Sequence, residues 1–192
     1  MLKMSKNIIL CGVGGQGTIL ASSLIAGAAM KKGMKVKTAE TIGMAQRGGS
    51  VFSNIKLGEA SSPLIGKGEA DIIIGFEPAE ALRMLPYLRP DGTVIASTHP
   101  VMPVSAMVGQ SHYDIEAIIL YLKKSVNDLY LLDTDRAMAD LKNSKVMNVL
   151  LLGAAARTGV LGLEVQDIKQ AVLDKVPEKF HELNMKALDY SF

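Results

Sequence analysis

The sequence contains one cysteine, Cys11, in 192 residues, and no tryptophan. A lone cysteine excludes an internal disulfide and cannot by itself ligate a four-cysteine iron–sulfur cluster, so any such cluster belongs to another chain. No His/Cys/Asp/Glu set has metal-ligand spacing, and no Ser–His–Asp order surrounds a nucleophile elbow. No phosphate loop ends in Gly-Lys-Ser/Thr, and no aromatic-basic stripe suggests nucleic acid. The chain therefore presents no catalytic or metal-binding set of its own. Charge of either sign is scarce in blocks: 21 basic and 19 acidic residues leave +2, spread along the chain, which argues against a nucleic-acid surface. The apolar run after the charged Met1 to Lys6 is too short for a signal-peptide core or a membrane span. The expectation is a cytoplasmic protein with neither membrane nor nucleic-acid partner.

What is present is aliphatic. Hydrophobic residues make up 48% and aromatics only 5%, with 11 methionines to fill core gaps or face a partner. A chain of 192 residues reads as a single domain, 1–192, able to bury roughly 70% of its unfolded surface without a staple.

The organising stretch is Asn7 to Thr18. Ile8 to Cys11 is a continuous apolar run, suited to a strand buried on both faces, and Cys11 reads as a small packing residue in it rather than a nucleophile. The run breaks into Gly12-Val13-Gly14-Gly15-Gln16-Gly17-Thr18, and a helix pattern follows to Lys32, stopped by Gly33. Such a loop brings bare N–H groups to the positive end of a helix, where an anion or a partner's backbone can approach. Gly12, Gly14 and Gly17 also satisfy the spacing of a dinucleotide loop, with Glu40 at the end of the next strand-like run where a ribose acid would stand. Three readings stay open for this loop: a nicotinamide or flavin site, a structural strand-to-helix turn, and a surface docking on a partner or a partner's cofactor.

A second glycine-rich segment, Gln46-Arg47-Gly48-Gly49-Ser50, precedes a third strand at Val51 to Leu57. The Arg47 guanidinium, flanked by glycines, suits a phosphate, a carboxylate or a partner's backbone, and the two loops are expected to meet at one edge of a sheet. Further strands are expected at Ala70 to Gly75, Thr93 to Ala96 and Leu129 to Leu132, with a turn at Pro90-Asp91-Gly92 and loop or irregular strand from Met102 to Ser111. Glu77, at a strand end, is the first acid to test for function, although a helix-start role explains it equally. His99 has no acid near it in sequence and is expected to hydrogen-bond locally. Helices are expected from Pro78 to Leu85, along the stripe Ile115, Ile118, Ile119, Leu122, after the cap Asp133-Thr134, from Lys145 to Thr158, and over Glu164 to Val176 and Pro177 to Tyr190. The Lys145 to Thr158 helix is apolar nearly all round, so it lies in the core or on a second chain, which leaves open a homodimer of the isolated chain. The fold class is α/β: a three-layer α/β/α sandwich on a Rossmann-like sheet, mainly parallel, with antiparallel pairing where Val51 to Leu57 follows a loop.

Taken together, Gly12 to Thr18, Glu40-Thr41 and Gln46 to Val51 resemble the small, cluster-free gamma-type module of the 2-oxoacid:ferredoxin oxidoreductases, nearest its indolepyruvate branch. The resemblance extends through Asp71 to Phe76, Thr98-His99-Pro100 and the helix from Asn148 to Ala154. It implies a part in oxidative decarboxylation of a 2-oxoacid: thiamine diphosphate attacks the keto carbon, carbon dioxide leaves, iron–sulfur clusters pass electrons to ferredoxin, and coenzyme A takes the acyl group. It also implies that the thiamine and clusters lie on a larger partner subunit, with no cofactor held by this chain alone and no catalytic residue in it. Gly12, Gly14, Gly15, Gln16, Gly17, Thr18, Glu40, Gln46, Arg47, Gly48, Gly49 and Ser50 are then candidates for docking or cofactor contact. The other reading is a stand-alone NAD(P)- or flavin-binding reductase built on the Gly12 to Gly17 loop and Glu40.

Overall fold

The structure is a computed structural model that describes residues 5–41, 49–102 and 113–192. Six strands form one sheet: β1 (Lys6–Val13), β2 (Val36–Thr41), β3 (Ser50–Leu57), β4 (Ala70–Gly75), β5 (Leu88–Ser97) and β6 (Asp128–Leu132). Their order across the sheet is β2-β3-β1-β4-β5-β6. β3 runs antiparallel to both its neighbours and the remaining pairs are parallel, so the expected mixed pairing falls on the strand that follows a loop instead of a helix.

The alternation of β1 divides the core in two. Ile8 and Leu10 face a large cluster with α1 (Thr18–Lys31), α5 (Met147–Arg157), α6 (Val165–Lys175) and α7 (His181–Asp189). Ile9 and Cys11 face a smaller one with α2 (Pro78–Met84) and Val126, which ends α3 (Ile115–Ser125). The apolar helix α5 is buried from Met147 to Ala156, so its apolarity is used inside its own chain rather than against a second one. A short helix, α4 (Thr134–Asp140), is capped by Asp133, whose carboxylate accepts from Arg136 N–H at 3.0 Å.

Helix α1 stops as its sequence indicates. Gly33 has φ +75°, its N–H donates to the Met30 carbonyl and that of Met34 to Ala29, the paired bonds of a Schellman stop. One expected turn is corrected: Pro90 to Gly92 lies inside β5. Leu88 pairs with Ala70 and Thr93 with Ile72, so Arg89 to Gly92 bulge opposite Asp71 alone, and Arg89 ion-pairs with that acid. The turn residues are real signals, but proline and glycine there mark a bulge, where a missing ladder bond is tolerated. The expected loop from Met102 to Ser111 falls, from residue 103 on, outside the described residues.

The far end of α1 is tied to α6 through Asp167, whose Oδ2 accepts from Lys32 Nζ at 2.7 Å and from Glu164 N–H at 2.8 Å. Burial pushes the Asp167 carboxyl up, but these donors outweigh it and hold it below 3.8. A carboxyl lowered by folding contributes stability above its unfolded value and loses it as pH falls through the folded one. Asp167→Asn is therefore expected to cost about 1 kcal/mol at neutral pH and to flatten the acid loss below about pH 4, read by thermal melts across pH.

Candidate functional site

The chain leaves β1 through α1 toward β2, and leaves β4 through α2 toward β5 on the other side. Their carboxyl ends are neighbours, so the crevice between β1 and β4 is the place where an open α/β sheet takes its ligands. Here the crevice is closed by Gln16. Its Oε1 accepts from Val13 N–H at 2.6 Å and its Nε2 donates to the Phe76 carbonyl at 3.1 Å. A Cβ on Gly12 would lie 2.6 Å from Gln16 Oε1 and 2.9 Å from Phe76 Cβ, so glycine is what lets the carboxamide seat between the strands. Gly17 caps α1 at φ +84°, and a Cβ there would meet Asn148 Nδ2 at 2.6 Å. The loop is thus backed by α5 from 131 residues away.

The two glycine segments meet, as expected: Gly14 N–H donates to the Gly49 carbonyl at 2.9 Å, and Val13 pairs with Ser50. Gly15 is exposed, and Thr18 is buried as the first residue of α1. Gln46, Arg47 and Gly48 lie outside the described residues. Glu40 is exposed on the edge strand β2, with β3 inserted between it and β1. That puts it two ladder spacings, about 9.5 Å, from the strand bearing the loop, whereas the acid of a dinucleotide site stands on the adjacent strand.

Two carboxylates stand behind the crevice. Glu77 is 1% exposed and caps α2, its Oε2 accepting from Glu80 N–H at 3.0 Å; its Oε1 accepts from the Tyr113 hydroxyl. Glu80, also buried, accepts from the Ser50 hydroxyl and ion-pairs with Arg83. Sequence reasoning placed Glu77 as a helix-start acid, which it is, but passed over Glu80 and Tyr113. The one available signal was two acids three residues apart on a helix that begins at a strand end. Burial first, then Glu80 and Glu77, push the Cys11 thiol well above its usual range. Cys11 is a packing residue, and is expected to resist a maleimide in the native protein and to label fully in denaturant, followed by mass spectrometry.

On the α1 side a cleft of about 670 Å3 is lined by Gly15, Gln16, Gly17, Leu20, His99 and Lys145, among others. A second, more apolar cleft of about 270 Å3 shares Leu20, Lys145 and Asn148 with it and reaches Phe180 and Leu183. Ile19, Leu20, Met102 and Phe180 are 43%, 37%, 49% and 44% exposed, a high density of bare apolar side chains for one end of the molecule. His99 does find an acid: its Nδ1 lies 2.6 Å from Asp135 Oδ1 on α4, and its N–H donates to Ser97 Oγ at 2.9 Å. The acid was out of sight in sequence because it comes from the next β–α connection. Among the described residues no three His, Cys, Asp or Glu side chains are grouped to hold a metal ion, and no helix is long and apolar enough to cross a membrane.

Comparison with known proteins gives this geometry a family. The indolepyruvate oxidoreductase subunit IorB of Pyrococcus horikoshii is 36% identical over 186 residues, covering 95% of this chain and 92% of the relative. IorB of Archaeoglobus fulgidus is 35% identical over 190 residues, covering 98% and 94%. The crystal structure of a keto/oxoacid ferredoxin oxidoreductase gamma subunit from Geobacter sulfurreducens superposes with a TM-score of 0.67 at 25% identity, covering 95% of this chain and 94% of that one. The family model described as pyruvate ferredoxin/flavodoxin oxidoreductase matches residues 7–192, and the chain belongs to that family.

Proposed function

We propose that the chain is the small, cluster-free subunit of a 2-oxoacid:ferredoxin oxidoreductase, acting on indolepyruvate or a related aryl pyruvate, and that the Gly14 to Leu20 surface docks on the larger subunit. The observation that carries this is the state of the first loop. Its inside is filled by Gln16 and backed by two buried carboxylates, while its outside carries exposed Ile19 and Leu20. A pyrophosphate in the crevice would displace Gln16 and face Glu77 and Glu80, and Glu40 is on the wrong strand for a ribose. The loop supports docking rather than dinucleotide binding.

Thiamine diphosphate and the iron–sulfur clusters are assigned to the larger subunit, which also delivers electrons to ferredoxin. The single, buried Cys11 supports that division. Arg47, between Gln46 and two glycines, offers a fork-shaped cation to coenzyme A phosphates or to a partner carboxylate. Arg47→Ala is expected to raise the KM for coenzyme A about tenfold, the worth of one charge-assisted bond; unchanged coenzyme A dependence together with unchanged assembly would remove that role.

The test is anaerobic purification of the tagged chain from its own cells, with titration of the isolated chain by NADH, NADPH, FAD and FMN. A brown, thiamine-containing partner in fixed proportion, and no saturable cofactor binding, is the expected result. A colourless chain that comes alone and binds a dinucleotide overturns it.

A further inference from the structure

The junction of β4 and α2 holds more than one helix start requires. Three separate segments end on it: the first loop through Gln16 on the Phe76 carbonyl, the head of β3 through Ser50 on Glu80, and the segment before α3 through Tyr113 on Glu77. Burying two carboxylates in one helical turn costs several kcal/mol per ion. The only cation on them, Arg83, reaches Glu80 at 3.4 Å and is itself 63% exposed. A pair of apolar side chains would serve this part of the core better. What the acids add is direction: each has one oxygen turned to a hydroxyl on a different segment, and charge-assisted bonds of this kind fix a geometry more firmly than neutral ones.

We infer that Glu77 and Glu80 are positioning residues that lock three chain segments to one junction, so that the surface presented to the larger subunit is preorganised as a unit. Docking then orders no loop separately, and the entropy of ordering is met on folding rather than on binding. This rests on the docking reading above.

The experiment measures the affinity of variants of this chain for the larger subunit purified from its own cells, with kcat of the reconstituted complex at saturating larger subunit. Glu80→Gln and Tyr113→Phe are each expected to weaken affinity about tenfold, as one lost charge-assisted bond allows. For Tyr113→Phe the loss falls on affinity more than on kcat. Ser50→Ala is expected to match Glu80→Gln, the double variant to be no weaker than either single one, and Ser50→Thr, which keeps the hydroxyl, to retain affinity. Full affinity in Glu80→Gln and Tyr113→Phe overturns the inference, as do additive losses or losses that simply track melting temperature. Leu20→Asp, on the exposed face itself, separates the two ideas: if it weakens binding and the junction variants do not, only the positioning role falls. If it too leaves binding intact, the docking reading falls with it.

Discussion

Leu20→Asp is expected to weaken association with the larger subunit about a hundredfold while leaving the isolated chain as stable as before. The two halves of that result have opposite physical causes at one position. Leu20 is the third residue of α1, where the helix's unpaired N–H groups favour a negative charge by roughly 0.3–1 kcal/mol, so folding gains slightly from the acid. It is already 37% exposed, so little core contact is lost. Across an apolar interface the same carboxylate is desolvated without a partner and the leucine's burial is forfeited, together about 2–4 kcal/mol, which is the range of an interface hot spot. Met30→Gln, on the same helix at its other end and 64% exposed, is the matched control and is expected to bind normally. Sedimentation of the mixed subunits gives the affinity and calorimetry the stability. Equal affinity for both variants would move the docking face away from the first loop.

The fold was largely legible because its signals are local. Apolar runs such as Ile72 to Ile74 and Ile8 to Cys11 can be placed only in a two-sided sheet, and a stop such as Gly33 is written in one residue. The antiparallel β3 was legible for the same reason, since it follows a loop too short to hold a crossover helix. The Pro90 to Gly92 bulge was not. A turn and a bulge use the same residues, and only the partner strand decides between them.

The site was legible as a place and illegible as a mechanism of assembly. Glycines announced that something approaches the loop closely, and the expectation was an outside group. For Gly12 and Gly17 it is the chain itself: Gln16 returning onto its own loop, and Asn148 arriving from α5. The spacing of a dinucleotide motif is identical in the two cases. What separates them is the strand order, which inserts β3 between Glu40 and the loop, and no periodicity in a single sequence reports strand order. The pairings Glu77–Tyr113, Glu80–Ser50 and His99–Asp135 share that cause, each joining residues 30 to 36 apart along the chain.

The largest effect on stability is expected at a residue far from the loop. Gly153→Ala should lower the melting temperature by about 6–12 °C, although alanine is by about 1 kcal/mol the better helix former. Gly153 lies in α5 where α7 crosses it, and a Cβ there would stand 2.5 Å from the Leu188 carbonyl oxygen, 2.9 Å from its Cα and 3.0 Å from its carbonyl carbon. All three are backbone atoms, so no rotamer change relieves the overlap and α7 itself must retreat. One turn along α5, Arg157 donates to the carbonyls of Leu188 and Tyr190, satisfying acceptors that the end of α7 leaves unpaired. A retreat of α7 stretches both bonds, each worth about 1.5–3 kcal/mol for a charged donor. Overpacking of about 1–3 kcal/mol and these losses outweigh the gain in propensity, for a net cost near 3 kcal/mol. The discriminating companion is Leu188→Ala. It removes a side chain but none of the three clashing atoms, so the double variant is expected to melt no higher than Gly153→Ala. Recovery of the melting temperature in the double variant would mean that side-chain crowding, not backbone approach, fixes glycine at this crossing.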